Sequence, residues 1–115
     1  MRYLCQLYVE EKRMAALSKI ELDALLRASA EYNHLLQRSG YLALALALEP
    51  VRTATTIRVQ SGRTRAMDGP FAETREQLAG IILIDATDLD AALRVAAKIP
   101  MAELGSIEIR PVSRS

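Results

Sequence analysis

The stretch YLALALAL, Tyr41 to Leu48, alternates leucine with alanine between Gly40 and Pro50. A period of two puts leucines on one face of a strand and small apolar side chains on the other, so neither face is polar. Alanine and leucine favour helix intrinsically, but the flanking glycine and proline leave too little room for one. GIILIDA, Gly80 to Ala86, is an almost continuous apolar run of the kind found in strands covered on both sides. Any fold for this chain must therefore cover two faces of one sheet.

The other segments supply cover for one face. Arg2 to Glu10 reads as a first strand, with Tyr3, Cys5, Leu7 and Val9 on one side and Leu4, Gln6 and Tyr8 on the other. Ser18 followed by Glu21 is a capping box, and Leu17 with Leu22 occupies the staple positions. The helix predicted from there spans Lys19 to Ser39, with a stripe through Leu22, Leu25, Leu26, Ser29, Tyr32, Asn33 and Leu36 that ends at Gly40. Thr53 to Val59 is β-branched and reads as a strand able to pair with Tyr41–Leu48. Gln60 to Arg63, carrying Ser61-Gly62, reads as a hairpin turn from which Thr64 to Met67 runs back. Thr87 is placed to cap a second helix whose core stripe is Leu89, Ala92, Leu93, Ala96 and Ile99, stopped by Pro100. In Ser106 to Val112, Ile107, Ile109 and Pro111 point inward, and the proline suits an edge.

The order β, α, β, β, α, β implies an α+β fold, a ferredoxin-like plait with two helices on one sheet face. Two helices leave the second face open, and a second copy of the same sheet is its simplest cover. The expected assembly is a homodimer resembling a dimeric α+β barrel.

At 115 residues the chain suits a single domain, residues 1–115, and half of it is hydrophobic. Fifteen basic residues against fourteen acidic give a net charge of +1, which disfavours nucleic acid as a partner. No apolar run approaches the length of about 18 residues expected of a membrane span, and no signal peptide is evident. One cysteine cannot make an internal disulfide, so a cytoplasmic location is the default expectation. Cys5 reads as a small core hydrophobe.

Between hairpin and apolar strand lies MDGPFAETREQLAG, Met67 to Gly80, which holds the chain's one phenylalanine. Asp68 can accept backbone hydrogen bonds, Gly69 can take positive φ and Pro70 fixes the next φ, which together make a corner. Phe71 would anchor that corner by burial, or line a pocket. Glu73, Arg75, Glu76 and Gln77 follow as a polar run able to orient a small polar ligand. The charged members could alternatively pair with one another or with Arg58, Arg63 and Arg65. If Asp68 or Glu73 faced a dry cleft, its carboxyl could serve as general acid or base. His34 lies late in the first helix, about 120° from the Leu22 position at 100° per residue. One histidine with scattered carboxylates makes no metal constellation, and no nucleotide or cofactor motif is present, so neither metal nor cofactor is expected.

DGPFAETREQLAG, followed by IILIDATDLDAALRVAAKIP and IEIRPV, resembles the YCII-related family, in its DGPF-signature branch of small bacterial proteins. EYNHLLQRSGYL and TATTIRVQSGRTRAMDGPF extend the likeness over almost the whole chain. The resemblance implies a ferredoxin-like dimer with a cleft between sheet, loop and partner. Some such relatives are ring-degrading enzymes, including chloromuconolactone dehalogenases, for which a His and Asp pair has been proposed; others are encoded beside extracytoplasmic-function sigma factors. Here His34 does not match the early-helix histidine of the enzyme-like relatives. Arg75 replaces the more usual lysine, and Ile81 with Ile82 stands where aromatics are common. Two functions of different class follow. One is a dimeric small-molecule-binding or regulatory module, linked by resemblance to a sigma factor. The other is a cofactorless lyase, isomerase or dehalogenase-like enzyme using Asp68 or Glu73 with His34.

Overall fold

A computed structural model describes residues 1–114. Its elements run β1 (Arg2–Val9), α1 (Glu11–Ala15), α2 (Lys19–Arg38), β2 (Leu42–Ala47), β3 (Thr55–Gln60), β4 (Arg63–Asp68), β5 (Gln77–Asp85), α3 (Leu89–Ala96) and β6 (Gly105–Pro111), with 3₁₀ turns at Val51–Thr53 and Pro100–Leu104. The main sheet has four strands in the order β2-β5-β1-β6, every neighbouring pair antiparallel. With β3 and β4 set aside, this is the expected ferredoxin-like order, and the fold is α+β. The pairing expected between Tyr41–Leu48 and Thr53–Val59 does not occur. β2 joins β5 at the sheet edge, while β3 pairs with β4 in a separate two-stranded sheet. Two strands close in sequence pair readily only when a tight turn joins them, and Pro50 with the following 3₁₀ turn carries the chain away first.

Both longer helices cover the face on which Tyr3, Cys5, Leu7, Ile82 and Ile84 form a core with Leu36 of α2 and Ala91, Ala92, Val95 and Ala96 of α3. The capping box of α2 is complete: the Glu21 N–H donates to Ser18 Oγ at 3.1 Å, and the Ser18 N–H donates to Glu21 Oε1 at 2.9 Å. The Ser18 backbone N–H, and after it the Ser18 hydroxyl, hold the Glu21 carboxyl below its usual range. In α3 the cap is Asp88 rather than Thr87, its Oδ1 accepting the Ala91 N–H at 2.8 Å. Of the expected stripe, Ala92, Ala96 and Ile99 are buried against the sheet, joined by Ala91 and Val95, while Leu89 and Leu93 are exposed. The helix closes at Ala97, and Pro100 begins the next 3₁₀ turn instead of ending the helix itself.

Three further departures bear on the site. The short helix α1 has no counterpart in the sequence reading. β5 begins at Gln77, three residues before Gly80, so the signature loop is shorter than its motif. In β2 the register skips at Ala43, with Leu42 opposite Ile84 and Leu44 opposite Leu83. The extra residue reverses the side-chain parity, so Leu42 packs against the core while Leu44 and Leu46 face away from the helices. The leucines therefore do not all share one face.

The face opposite the helices carries Leu44, Leu46 and, on the same parity, Leu48, each about half exposed, beside Ile81, Leu83 and Leu4. Edge strand β6 contributes Glu108 and Arg110 to its rim. The hairpin turn falls where expected, with Ser61 at φ 50° and Gly62 at φ 76°, the positive pair that a type I′ turn requires. Its strands are exposed almost throughout. Ile57 and Val59, on one hairpin face, are each 63% exposed.

Candidate functional site

The signature corner is held by backbone contacts. The Gly69 N–H donates to the Ala54 carbonyl at 2.7 Å, the Thr56 hydroxyl donates to the Gly69 carbonyl at 2.8 Å, and Gly69 takes φ 103°. Asp68 closes β4 opposite Thr55 and is exposed. Phe71 is 80% exposed, so within one chain it does not anchor the corner by burial. A glycine at the turn and two hydrogen bonds already fix the backbone, which leaves the aromatic ring free to project.

Beyond the corner the chain is tied to itself. Gln77 at the start of β5 donates both amide hydrogens inward, from Nε2 to the carbonyls of Ala72 and Thr74, each at 3.1 Å. The Thr74 hydroxyl donates to the Glu76 carbonyl at 2.7 Å. These bonds set the 72–76 segment against the end of β1, because Val9 lies opposite Gln77 in the sheet. Glu10 continues from there, and Glu11 opens α1 and accepts the Val51 N–H at Oε2 at 2.8 Å.

Three segments thus converge at one sheet end around an open cleft of about 610 Å³, lined by Glu10, Glu11, Lys12, Val51, Glu73, Thr74, Arg75 and Gln77. It holds three carboxylates and two cations. Among the described residues the one ion pair within 4.0 Å is Arg2 with Asp85, so the acidic and basic groups of the cleft are not joined to each other. The alternative, in which Glu73 and Glu76 pair with Arg75 or with Arg58, Arg63 and Arg65 of the hairpin, is likewise absent among them. Arg75 can present a planar guanidinium to a carboxylate or similar oxyanion, while Glu10 and Glu73 can accept from hydroxyl or ammonium groups.

Of the residues singled out from the sequence, Glu73, Arg75 and Gln77 come together here, though the amide hydrogens of Gln77 serve the loop. Asp68, Phe71 and Glu76 are not part of the lining. His34 is exposed on α2 and lines neither this cleft nor the cavity beneath that helix. No side-chain hydrogen bond or ion pair joins it to Asp68 or Glu73 among the described residues. Glu10, Glu11 and Lys12 were not singled out from the sequence. Their signal was the register between β1 and β5, which brings them beside the loop across more than sixty positions of sequence. No three His, Cys, Asp or Glu side chains among the described residues gather as a metal-binding set.

The YCII-related domain matches this chain over residues 1–115. The chain belongs to the YCII-related family. It is also 38% identical over 115 residues to an uncharacterized protein of Rhizobium meliloti (strain 1021), covering 98% of this chain and 93% of that relative. No helix of this YCII-related protein, among the described residues, is long and apolar enough to cross a membrane.

Proposed function

We propose that this YCII-related protein is a dimeric small-molecule-binding or regulatory module whose ligand, small and polar, occupies the cleft between the 72–76 segment and α1. The observation that carries this reading is the convergence of Arg75, Glu73, Lys12 and Glu10 on one cavity without ion pairing among them. Charges that neutralised one another would serve the fold. Unpaired charges of both signs are suited instead to a ligand carrying complementary groups. The enzyme reading rests on His34 acting with Asp68 or Glu73, and the exposed position of His34 outside the cleft gives it no support. The resemblance makes a sigma-factor pathway the candidate destination of a regulatory signal, in a cytoplasmic setting.

The second copy would cover the open sheet face, where Leu44, Leu46, Ile81 and Leu83 lie side by side. Burying such a patch stabilises association by the same transfer free energy that builds a core, roughly 25 cal/mol per Å² before the costs of association.

The ligand reading is tested by thermal-shift and calorimetric titration with a panel of small amino acids and hydroxy acids. A hit is expected to raise the melting midpoint of the wild-type protein, and Arg75→Ala to weaken that hit by at least about tenfold while the unliganded midpoint stays within a degree or two, since a charge-assisted hydrogen bond is removed from an exposed site. Binding that ignores Arg75→Ala and Glu73→Gln alike would remove the cleft from consideration. Turnover of a hit, abolished by Glu73→Gln, would move the assignment to the enzyme class.

A further inference from the structure

Helix α2 lies over β2 and β5, yet of its twenty residues only Leu36, near its C-terminal end, is buried. The strands below explain the gap. β2 turns Ala45 and Ala47 toward the helix, and β5 places Gly80 opposite Ala47. Gly80 is held to a hydrogen side chain by packing: a Cβ there would stand 2.7 Å from the Leu46 carbonyl oxygen. Three small residues in neighbouring positions leave a half-open cavity of about 350 Å³ under the helix, with Met101 and Ile99 in its wall. Its lining is mostly apolar, and the polar side chains on it are Ser29 and Asn33, both from α2. Ser29 Oγ is withdrawn from solvent and has no hydrogen-bond partner. This cavity shares no lining residue with the polar cleft.

We propose that the space between α2 and the β2–β5 edge is a second binding site, for a compact apolar molecule bearing one hydroxyl or carbonyl that meets Asn33 and Ser29. Size sets the class. An apolar cavity of about 150 Å³ takes up benzene, and this one is a little over twice as large, which suits a two-ring aromatic or a terpenoid of similar bulk. Polarity sets the functional group. A buried hydroxyl without a partner costs free energy, and a ligand oxygen reached by rotation about χ1 of Ser29 supplies one. The amide of Asn33 can donate or accept, so an alcohol, phenol or ketone each satisfies it, whereas a carboxylate would meet no cation among the lining residues. The site stands independently of the polar cleft.

The probe for the test is 2-naphthol, followed by its own fluorescence and by amide chemical-shift perturbation of the full chain. Saturable binding is expected, with perturbed amides at Ser29, Asn33, Ala47 and Gly80. Two variants fill the space from opposite walls, Ala47→Leu from the sheet and Ser29→Leu from the helix. Each is expected to weaken 2-naphthol at least about tenfold while the melting midpoint holds or rises, since apolar volume enters a void without breaking a hydrogen bond. Asn33→Ala is expected to weaken 2-naphthol by about threefold to tenfold and 2-methoxynaphthalene by less, as removal of one neutral hydrogen bond should. Absence of saturable binding up to the solubility of the probe overturns the proposal. So does binding unchanged in both filled variants, or perturbation centred on Leu44, Leu83 and Leu4, which would place the probe on the open sheet face.

Discussion

At the scale of single residues, two positions show what the interior demands. Cys5 is fully buried between Tyr3 and Leu7, and burial pushes its thiol up from 9.0 to about 11. The native chain then holds this proton more tightly than the unfolded chain. The stabilisation is fully present below pH 9 and is lost as the pH climbs toward 11, to at most about 3 kcal/mol. Burial, and secondarily the neighbouring Cys5, raises Tyr32 as well, so both groups act in the same alkaline direction. Melting curves between pH 8 and 11 should therefore fall less steeply for Cys5→Val than for wild type; superimposable curves would show that the thiol does not titrate in this window. Gly105 is the second position. Its backbone is extended, a conformation open to any residue, but a Cβ would stand 1.9 Å from the Tyr8 carbonyl oxygen. That neighbour is backbone in the central strand and cannot turn aside. Gly105→Ala is expected to cost about 1–3 kcal/mol or more in urea denaturation, as overpacking does; an unchanged midpoint would mean that β6 shifts freely.

At the scale of elements, the parts written in local chemistry were the legible ones. The capping box placed the start of α2 to the residue, and Ser18→Ala should lower stability by about 1 kcal/mol, with helix amides near Glu21 exchanging faster in hydrogen-exchange measurements. Equal exchange in both proteins would show the cap to be idle. Ser61-Gly62 likewise placed the hairpin turn, because positive φ is a local demand. Partner choice was legible only in part. Nothing within Thr53–Val59 shows that it pairs forward with β4 instead of back with β2, since either partner satisfies the same backbone groups. The polar cleft was half legible for the same reason. Glu73 and Arg75 stand in one contiguous motif, whereas Glu10 and Lys12 reach them only through the antiparallel register of β1 and β5. Phe71 misled because an isolated aromatic in a turn reads as an anchor, and here the glycine and backbone bonds already did that work.

At the scale of the whole molecule, a radius of gyration of 16.0 Å exceeds the roughly 13 Å expected of a compact chain of this length. The principal extents, 47 × 43 × 19 Å, describe a flat body: one sheet, one helix layer and a two-stranded arm. A lone two-stranded arm is marginal in water, and an apolar sheet face is a poor surface for a monomer. In sedimentation velocity at micromolar concentration the protein should run as a dimer, and Leu46→Asp should shift it toward monomer while circular dichroism keeps the same secondary structure. A wild-type monomer with a stable fold would sink the association through this face. The extra residue at Ala43 bears on how such an assembly tolerates changes in chain length. Because the parity reversal is already absorbed there, a natural deletion of Ala43 would leave every leucine of β2 facing the side it faces now. Loss of Ala45, two positions on, would turn Leu44 inward against Ile82 and empty its place on the open face. Within this one strand, lineages have a position where the reading frame of the fold forgives a missing codon, next to positions where it does not.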